Sequence, residues 1–459
     1  MSQAEQSKEQ IYQADRRRVW HALAPHNERN PWVVESAQGV YVTDLEGRTY
    51  LDAMAGLWCV NIGYGHERIA KAAYEQMRKL PFYPLSAAHV PATELAETLT
   101  RWLGGDYRFF FSNSGSEANE TALKVARQYH AQMGHSERYK VISRYRAYHG
   151  NTMGALSATG QHQRKYLYEP LAVGFLHIQP PDLYRLAEGR APEEYGKACA
   201  DELERVIQWE GPDTISAFIM EPIITGGGML VPPDNYLPEV AKVCKRHGVL
   251  LIVDEVISGF GRTGKRFGFQ HSSVTPDIVT MAKGITSGYA PLSATAVAGH
   301  IYEAFKDVTD PNAHLRQVNT FGGHPVSCAV ALENLAIMEE LDLAARSAVL
   351  GDMMLRRLKE LYAYGIVGDV RGKGLLAGIE LVANRDTKEP LPLERVKAVV
   401  ARTKSLGVIV GRNGDTVAGL NNVVTVSPPL TIAEEEIDQI VEALTAAIAE
   451  EDSNNRSND

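Results

Sequence analysis

The stretch that most limits how this chain can fold is residues 249–256, Val-Leu-Leu-Ile-Val-Asp-Glu-Val. An unbroken β-branched and aliphatic run, closed by carboxylates, reads as a strand buried on both faces. Such a strand belongs in a largely parallel sheet with helices on either side. Asp254 and Glu255 fall at its C-terminal end, the edge where open α/β sheets place their ligands. A Gly-rich turn follows from Ser258 to Gly264, and a second short strand over 277–282 ends on Lys283-Gly284.

One strand end therefore presents an acid and another a lysine. A lysine at the apolar mouth of a sheet loses its proton through desolvation and becomes a nucleophile toward carbonyl groups. A carboxylate on the same edge is the partner that a pyridinium nitrogen requires. The competing reading of the turn, a phosphate-cradling P-loop at Gly259-x-x-x-x-Gly264-Lys265, lacks its Ser/Thr, because Arg266 stands there.

The 459 residues suffice for two domains and a large core. With 44% apolar and 22% charged residues, the composition is that of a soluble globular protein. The net charge of −9 argues against a nucleic-acid or anionic-membrane partner. No apolar run reaches membrane-spanning length and the N-terminus has no signal-peptide core, so a cytoplasmic location is expected. Cys59, Cys199, Cys244 and Cys328 lie far apart without zinc-ligand spacing; neither a metal site nor a disulfide framework is expected. Asn119-Glu120-Thr121 matches a glycosylation sequon, read here as chance.

Strand signals recur along the chain. The segment over 108–112 runs through Asn113-Ser114-Gly115-Ser116 into a helix from about Glu117 to Met133. Small polar residues at a helix start leave backbone N–H groups that favour an anion, although an ordinary capping box is the plainer alternative. Further strands are expected over 139–143, ending near Tyr148-His149-Gly150, and over 174–180. Another over 216–222 carries Glu221 at its end and a flexible Gly run, Gly226 to Gly228, after it. The segment over 293–299 is expected at a sheet edge. Seven strands alternating with helices imply one large, mostly parallel sheet. Residues 39–52 read as a small hairpin. A helical arm is expected in residues 1–30.

Asp254-Glu255-Val256, Gly259 to Gly264, Pro276-Asp277 and Ala282-Lys283-Gly284 together resemble the signature of the class III pyridoxal-phosphate aminotransferases, the ω-aminotransferases. The resemblance covers nearly the whole chain. It implies an α/β fold of fold type I, with a large seven-stranded sheet domain and a smaller α+β lobe built from both termini. The expected division is residues 1–70 for the arm and part of the small lobe, 71–335 for the cofactor domain, 336–450 for the C-terminal lobe and 451–459 for a disordered tail. It also implies a homodimer, or a tetramer, with active sites at the interface.

The resemblance implies a role for each matching residue. Lys283 would carry pyridoxal 5'-phosphate and, once displaced by a primary amine, move the proton between substrate carbon and cofactor carbon. Asp254 would keep the pyridine nitrogen protonated. Ser114, Gly115 and Ser116 would hold the phosphate, joined by Thr320 of the neighbouring subunit. Tyr148 would stack on the ring, with His149, Glu221 and Val256 also at the cofactor. Trp58, Tyr83 and Tyr148 would line the substrate pocket. Relatives that use 2-oxoglutarate often carry an arginine shortly before the turn that is Pro428-Pro429-Leu430 here, and residues 421–427 contain none. Pyruvate-using relatives carry a mobile arginine just upstream, where this chain has Arg412 before Gly414-Asp415, displaced by one residue from the usual position. The expected reaction moves an amino group from a primary amine or ω-amino acid to pyruvate. A 2-oxoglutarate-dependent aminotransferase, a decarboxylase or aminomutase of the same fold, and a catalytically silent scaffold are the alternatives.

Overall fold

The computed structural model describes residues 3–23, 31–306, 310–414 and 416–456. Seven strands form the central sheet, in the order Tyr107–Ser112, Ser293–Ala298, Ile278–Met281, Leu250–Asp254, Ile215–Met220, Lys140–Arg144 and Phe175–Ile178. The five from Ile278–Met281 outward pair in parallel. Ser293–Ala298 runs antiparallel to both of its neighbours. It therefore lies second from the edge, not at the edge as its sequence position suggested. Its small residues, Ser-Ala-Thr-Ala-Val-Ala, let two flanking strands and the helix Gly115–Gln132 close over it; Thr295 donates to Ala118 O at 2.8 Å.

Leu250–Asp254 and Ile215–Met220 are buried at every position, as their uninterrupted apolar sequences require. Being parallel, these strands put all their C-terminal ends on one edge, which brings Asp254, Glu221, Lys283 and the loop after Arg144 together.

Both chain ends build the rest. Val34–Gln38, Tyr41–Asp44 and Thr49–Asp52 form an antiparallel meander, and Val408–Ile409 adds to it in parallel with Thr49–Asp52. A third sheet joins Val367–Gly372, Ala377–Asn384, Val423–Val426 and Gly411–Arg412, with Glu389–Pro390 paired on Ala377–Asn384. The N-terminal helix spans Gln3–Arg18, while residues 24–30 of the expected arm lie outside the described residues. The C-terminal helix continues from Glu434 to Arg456, so the tail expected over 451–459 is helical through residue 456. Asp452, whose carboxylate accepts from the Ile366 amide at 3.0 Å, ties that last turn down. Residues 457–459 lie outside the described residues.

The glycines after Glu221 are not a mobile stretch. Gly227 and Gly228 are buried beneath two arginines: Arg146 Nη2 donates to Gly227 O and Arg371 Nη2 to Gly228 O, both at 2.6 Å. A Cβ at Gly227 would lie 2.2 Å from Arg146 O, so glycine serves a close backbone approach there.

The termini are fastened to the Gly-rich turn by Arg262, which is fully buried. Its guanidinium donates to Asn61 Oδ1 and Pro428 O, and Asn61 Nδ2 donates to Phe260 O at 2.8 Å. Desolvation pulls the Arg262 pKa down to about 10, against the charges of Cys59 and Asp52. Removing a neutral acceptor from a buried cation costs roughly 1.5–3 kcal/mol. Asn61→Ala is expected to lower the thermal unfolding midpoint by a few degrees; an unchanged midpoint would refute this role for the Asn61–Arg262 contact.

Candidate active site

Asp254 ends the central strand with a side chain that is almost wholly buried. Its Oδ2 accepts from Asn119 Nδ2 at 2.8 Å and lies 2.9 Å from His149 Nδ1; its Oδ1 accepts from the Val256 amide at 3.1 Å. Asn119 is itself fixed, donating to His149 O at 2.6 Å and accepting from Thr280 Oγ1 at 2.7 Å. These donors hold the carboxylate in one orientation and offset the loss of water. Glu255, the other half of the acidic pair, turns away and serves the fold. It accepts from Ser258 Oγ and the Gly268 and Phe269 amides, and desolvation outweighs them to push it up to about 7.

Lys283 stands at the end of the adjacent strand with φ of +48°, a left-handed conformation that side-chain-bearing residues rarely adopt. Its Nζ lies 5.8 Å from the centroid of the Trp58 ring. Burial draws its pKa below the ordinary lysine value, only partly countered by Cys59, Asp254 and Glu221. The amine is thereby moved toward its neutral, nucleophilic form.

The helix Gly115–Gln132 opens onto the same edge. Ser114 is its N-cap within a full capping box: its Oγ accepts from the Glu117 amide, and the Glu117 carboxylate accepts from the Ser114 amide. The capping-box and anion-site readings coexist, because the amides of Gly115 and Ser116 in the first turn still have no intrahelical acceptor. A Cβ at Gly115 would press on the Val256 methyls at 3.0 and 3.1 Å, so the helix mouth closes directly on the end of the central strand. Ser116 Oγ donates to Asn151 Oδ1 at 3.0 Å and accepts from the Asn151 amide at 3.1 Å.

Glu221 is buried, which raises its pKa, and its oxygens accept from the Tyr148 amide at 3.1 Å and the Thr225 hydroxyl at 2.9 Å. It thus sets the position of Tyr148. Trp58 takes φ of +58°, with its indole nitrogen buried and unpartnered among the described residues. Tyr83 is 52% exposed, and its neighbour Phe82 packs edge-on against Phe321 at 5.7 Å. Thr320 is exposed in the turn before the helix Pro325–Glu340, and Asn319 anchors that turn to Ser112 at 2.8 Å. Arg412 is half-buried, with Nη1 3.4 Å from Asn413 O, and Asp415 lies outside the described residues.

Asn119 and Asn151 carry no motif signal. Asn119 reaches Asp254 only because the helix rotation turns it toward the sheet, and its burial also disposes of the glycosylation sequon. Among the described residues no cluster of three or more His, Cys, Asp or Glu side chains could hold a metal ion. The donor set fits a planar pyridine bearing a phosphate and an aldehyde. A fixed carboxylate would meet its nitrogen, a helix mouth its phosphate, a desolvated amine its aldehyde and an aromatic ring its face. The buried, unpartnered Nε2 of His149 adds an unused polar atom behind Asp254.

The profile of the aminotransferase class-III family matches residues 23–448. An uncharacterized aminotransferase of Bacillus subtilis, YhxA, is 57% identical over 96% of both chains. The taurine–pyruvate aminotransferase of Bilophila wadsworthia is 42% identical over 96% of this chain and 97% of its own. The crystal structure of a Bacillus anthracis aminotransferase matches with a TM-score of 0.95 and 52% identity, covering 98% of this chain and 100% of that one. An omega-transaminase of Pseudomonas jessenii in complex with PMP matches with a TM-score of 0.91 and 36% identity over 96% and 98% of the two chains. Class III aminotransferases use pyridoxal 5'-phosphate.

A lysine reacts with an aldehyde only as the neutral amine, the form that burial favours at Lys283. The rate at which apoprotein takes up pyridoxal phosphate covalently is expected to rise with pH. It should level off below the ordinary lysine value of 10.5. Stopped-flow absorbance reads this directly. A rate still climbing past that pH would contradict the desolvated setting of Lys283.

Proposed function

The chain is a class III aminotransferase that uses pyridoxal 5'-phosphate, and from that premise we propose that it moves the amino group of a primary amine or ω-amino acid to pyruvate. Donors of the taurine, β-alanine, GABA or diamine type would leave as aldehydes or ketones and pyruvate as alanine. The observation that carries the choice of acceptor is the placement of arginine. Arg412 pairs in register with Val424, whereas residues 421–427, which lead into Pro428-Pro429-Leu430, contain no arginine. The taurine–pyruvate aminotransferase at 42% identity supports the same acceptor.

Bound pyridoxal phosphate supplies the electron sink that makes the C–H bond beside the substrate nitrogen acidic. The protein residues do the rest. Asp254, fixed by Asn119 and His149, would hold the proton on the pyridine nitrogen. Lys283 Nζ takes the proton from the substrate carbon and returns it one position away, as base and then acid. Burial lowers its pKa and so favours the neutral amine that can take the proton. The amides of Gly115 and Ser116 would bind the phosphate, Tyr148 would cover the ring, and Trp58 would shield the amine of Lys283 from water. The guanidinium of Arg412 takes the carboxylate of the oxo acid.

The protein would act as a homodimer, with Thr320 of the partner subunit completing the phosphate site. Thr320 and a set of exposed apolar side chains, Leu57, Phe82, Val318 and Phe321, support a covered face on these loops. A fully active monomer in sedimentation would exclude this arrangement.

Asp254→Asn removes the charge that favours the protonated ring. Each pKa unit is worth about 1.4 kcal/mol, so turnover is expected to fall by orders of magnitude while the fold survives. Near-normal turnover would exclude the role. For the acceptor, one good amine donor is compared with pyruvate and with 2-oxoglutarate. Pyruvate is expected to be faster, and Arg412→Ala to raise its apparent KM; faster turnover with 2-oxoglutarate overturns the proposal.

A further inference from the structure

Beside Tyr148 stands a second arginine for which the proposed reaction has no use so far. Arg164 belongs to the short helix His162–Lys165 and is half-buried, its guanidinium carbon 5.2 Å from the centroid of the Tyr148 ring. Its Nε donates to Gln161 Oε1 at 3.0 Å and its Nη2 to Gly414 O at 3.3 Å. Nη1 has no partner among the described residues, and none of their carboxylates is within ion-pair distance of this guanidinium.

Gly414 also borders Arg412, since a Cβ there would fall 2.5 Å from Arg412 Nη1. The two segments are joined further by Gln163 N donating to Thr416 O at 3.1 Å and Asn421 Nδ2 to Gln163 Oε1 at 2.8 Å. Two guanidiniums from distant parts of the sequence thus converge on one glycine, beside the aromatic wall of the active site. The planar, weakly hydrated fork of arginine binds a carboxylate or sulfonate through two parallel hydrogen bonds.

We propose that Arg164 binds the distal acidic group of the amine donor, a carboxylate or sulfonate, while Arg412 serves the carboxylate of the oxo acid. The inference rests on the proposed amine-to-pyruvate reaction and narrows its donor class to ω-amino acids and aminosulfonates. A diamine would bring a second cation against Arg164 and is disfavoured.

The test compares wild type, Arg164→Gln and Arg164→Lys as holoenzymes, with pyruvate as acceptor and either β-alanine or uncharged propylamine as donor. Propanoate binding is titrated calorimetrically alongside. Arg164→Gln is expected to raise KM for β-alanine at least tenfold, with a much smaller change in kcat. It should lower kcat/KM for β-alanine at least tenfold more than for propylamine, and weaken propanoate binding. Arg164→Lys should recover part of the loss. Equal losses for the two donors, or none, overturn the inference. If wild type turns over neither donor, the proposed reaction fails, and the propanoate titration alone decides: weaker binding in the glutamine variant upholds Arg164, unchanged binding overturns it.

Discussion

Everything at this site depends on keeping one carboxylate charged and oriented where water hardly reaches it. Asp254 is 3% exposed and accepts hydrogen bonds from Asn119 and the Val256 amide, with His149 against the same oxygen. A buried carboxylate without such donors would take up a proton, and a neutral acid could not stabilise a pyridinium. The network spans three elements: the end of the central strand, the second turn of the helix Gly115–Gln132 and the loop after Arg144. A shift in any of them would misalign acid, helix mouth and aromatic cover together. That shared dependence is why the cofactor edge is so densely hydrogen-bonded.

Lys283 faces the opposite demand. Among the described residues no ion pair holds the ammonium, and burial outweighs Cys59, Asp254 and Glu221 to favour the amine. Acid and lysine sit on neighbouring parallel strands, in similar surroundings, with contrary outcomes. Asp254 is surrounded by donors, whereas Lys283 has the face of Trp58.

Buried and half-buried arginines link segments that are distant in the sequence. Arg262 reaches Asn61 and Pro428, while Arg146 pairs with Asp182 at 2.6 Å. Glu380 takes Arg371 at 2.7 Å and Arg185 at 2.5 Å. Burial alone would raise Glu380, but these cations hold it below the ordinary glutamate range. Breaking one member of such a cluster strands a buried charge, so these contacts fix the relative placement of the segments they join.

The sequence by itself determined the elements whose environment is encoded locally. The run over 249–256 could only be a buried strand, and its acid and the lysine at 283 had to end on the same edge. The Ser114-Gly115-Ser116 turn announced a helix start suited to an anion. Tertiary structure decided what depended on rotation, packing and distant approach. Ser293–Ala298 is an inner strand because small side chains let neighbours close over it, a fact its pattern does not distinguish from an edge. Gly227 and Gly228 are pinned, since Arg146 and Arg371 arrive from elsewhere in the chain. The last helix runs to Arg456 and is tied down near its end where Asp452 meets the Ile366 amide. Asn119 meets Asp254 across 135 residues, and Arg164 reaches Gly414 across 250. Neither pairing has a periodicity or motif to betray it, because hydrogen bonds between distant segments exist only once the backbone has brought them within about 3 Å.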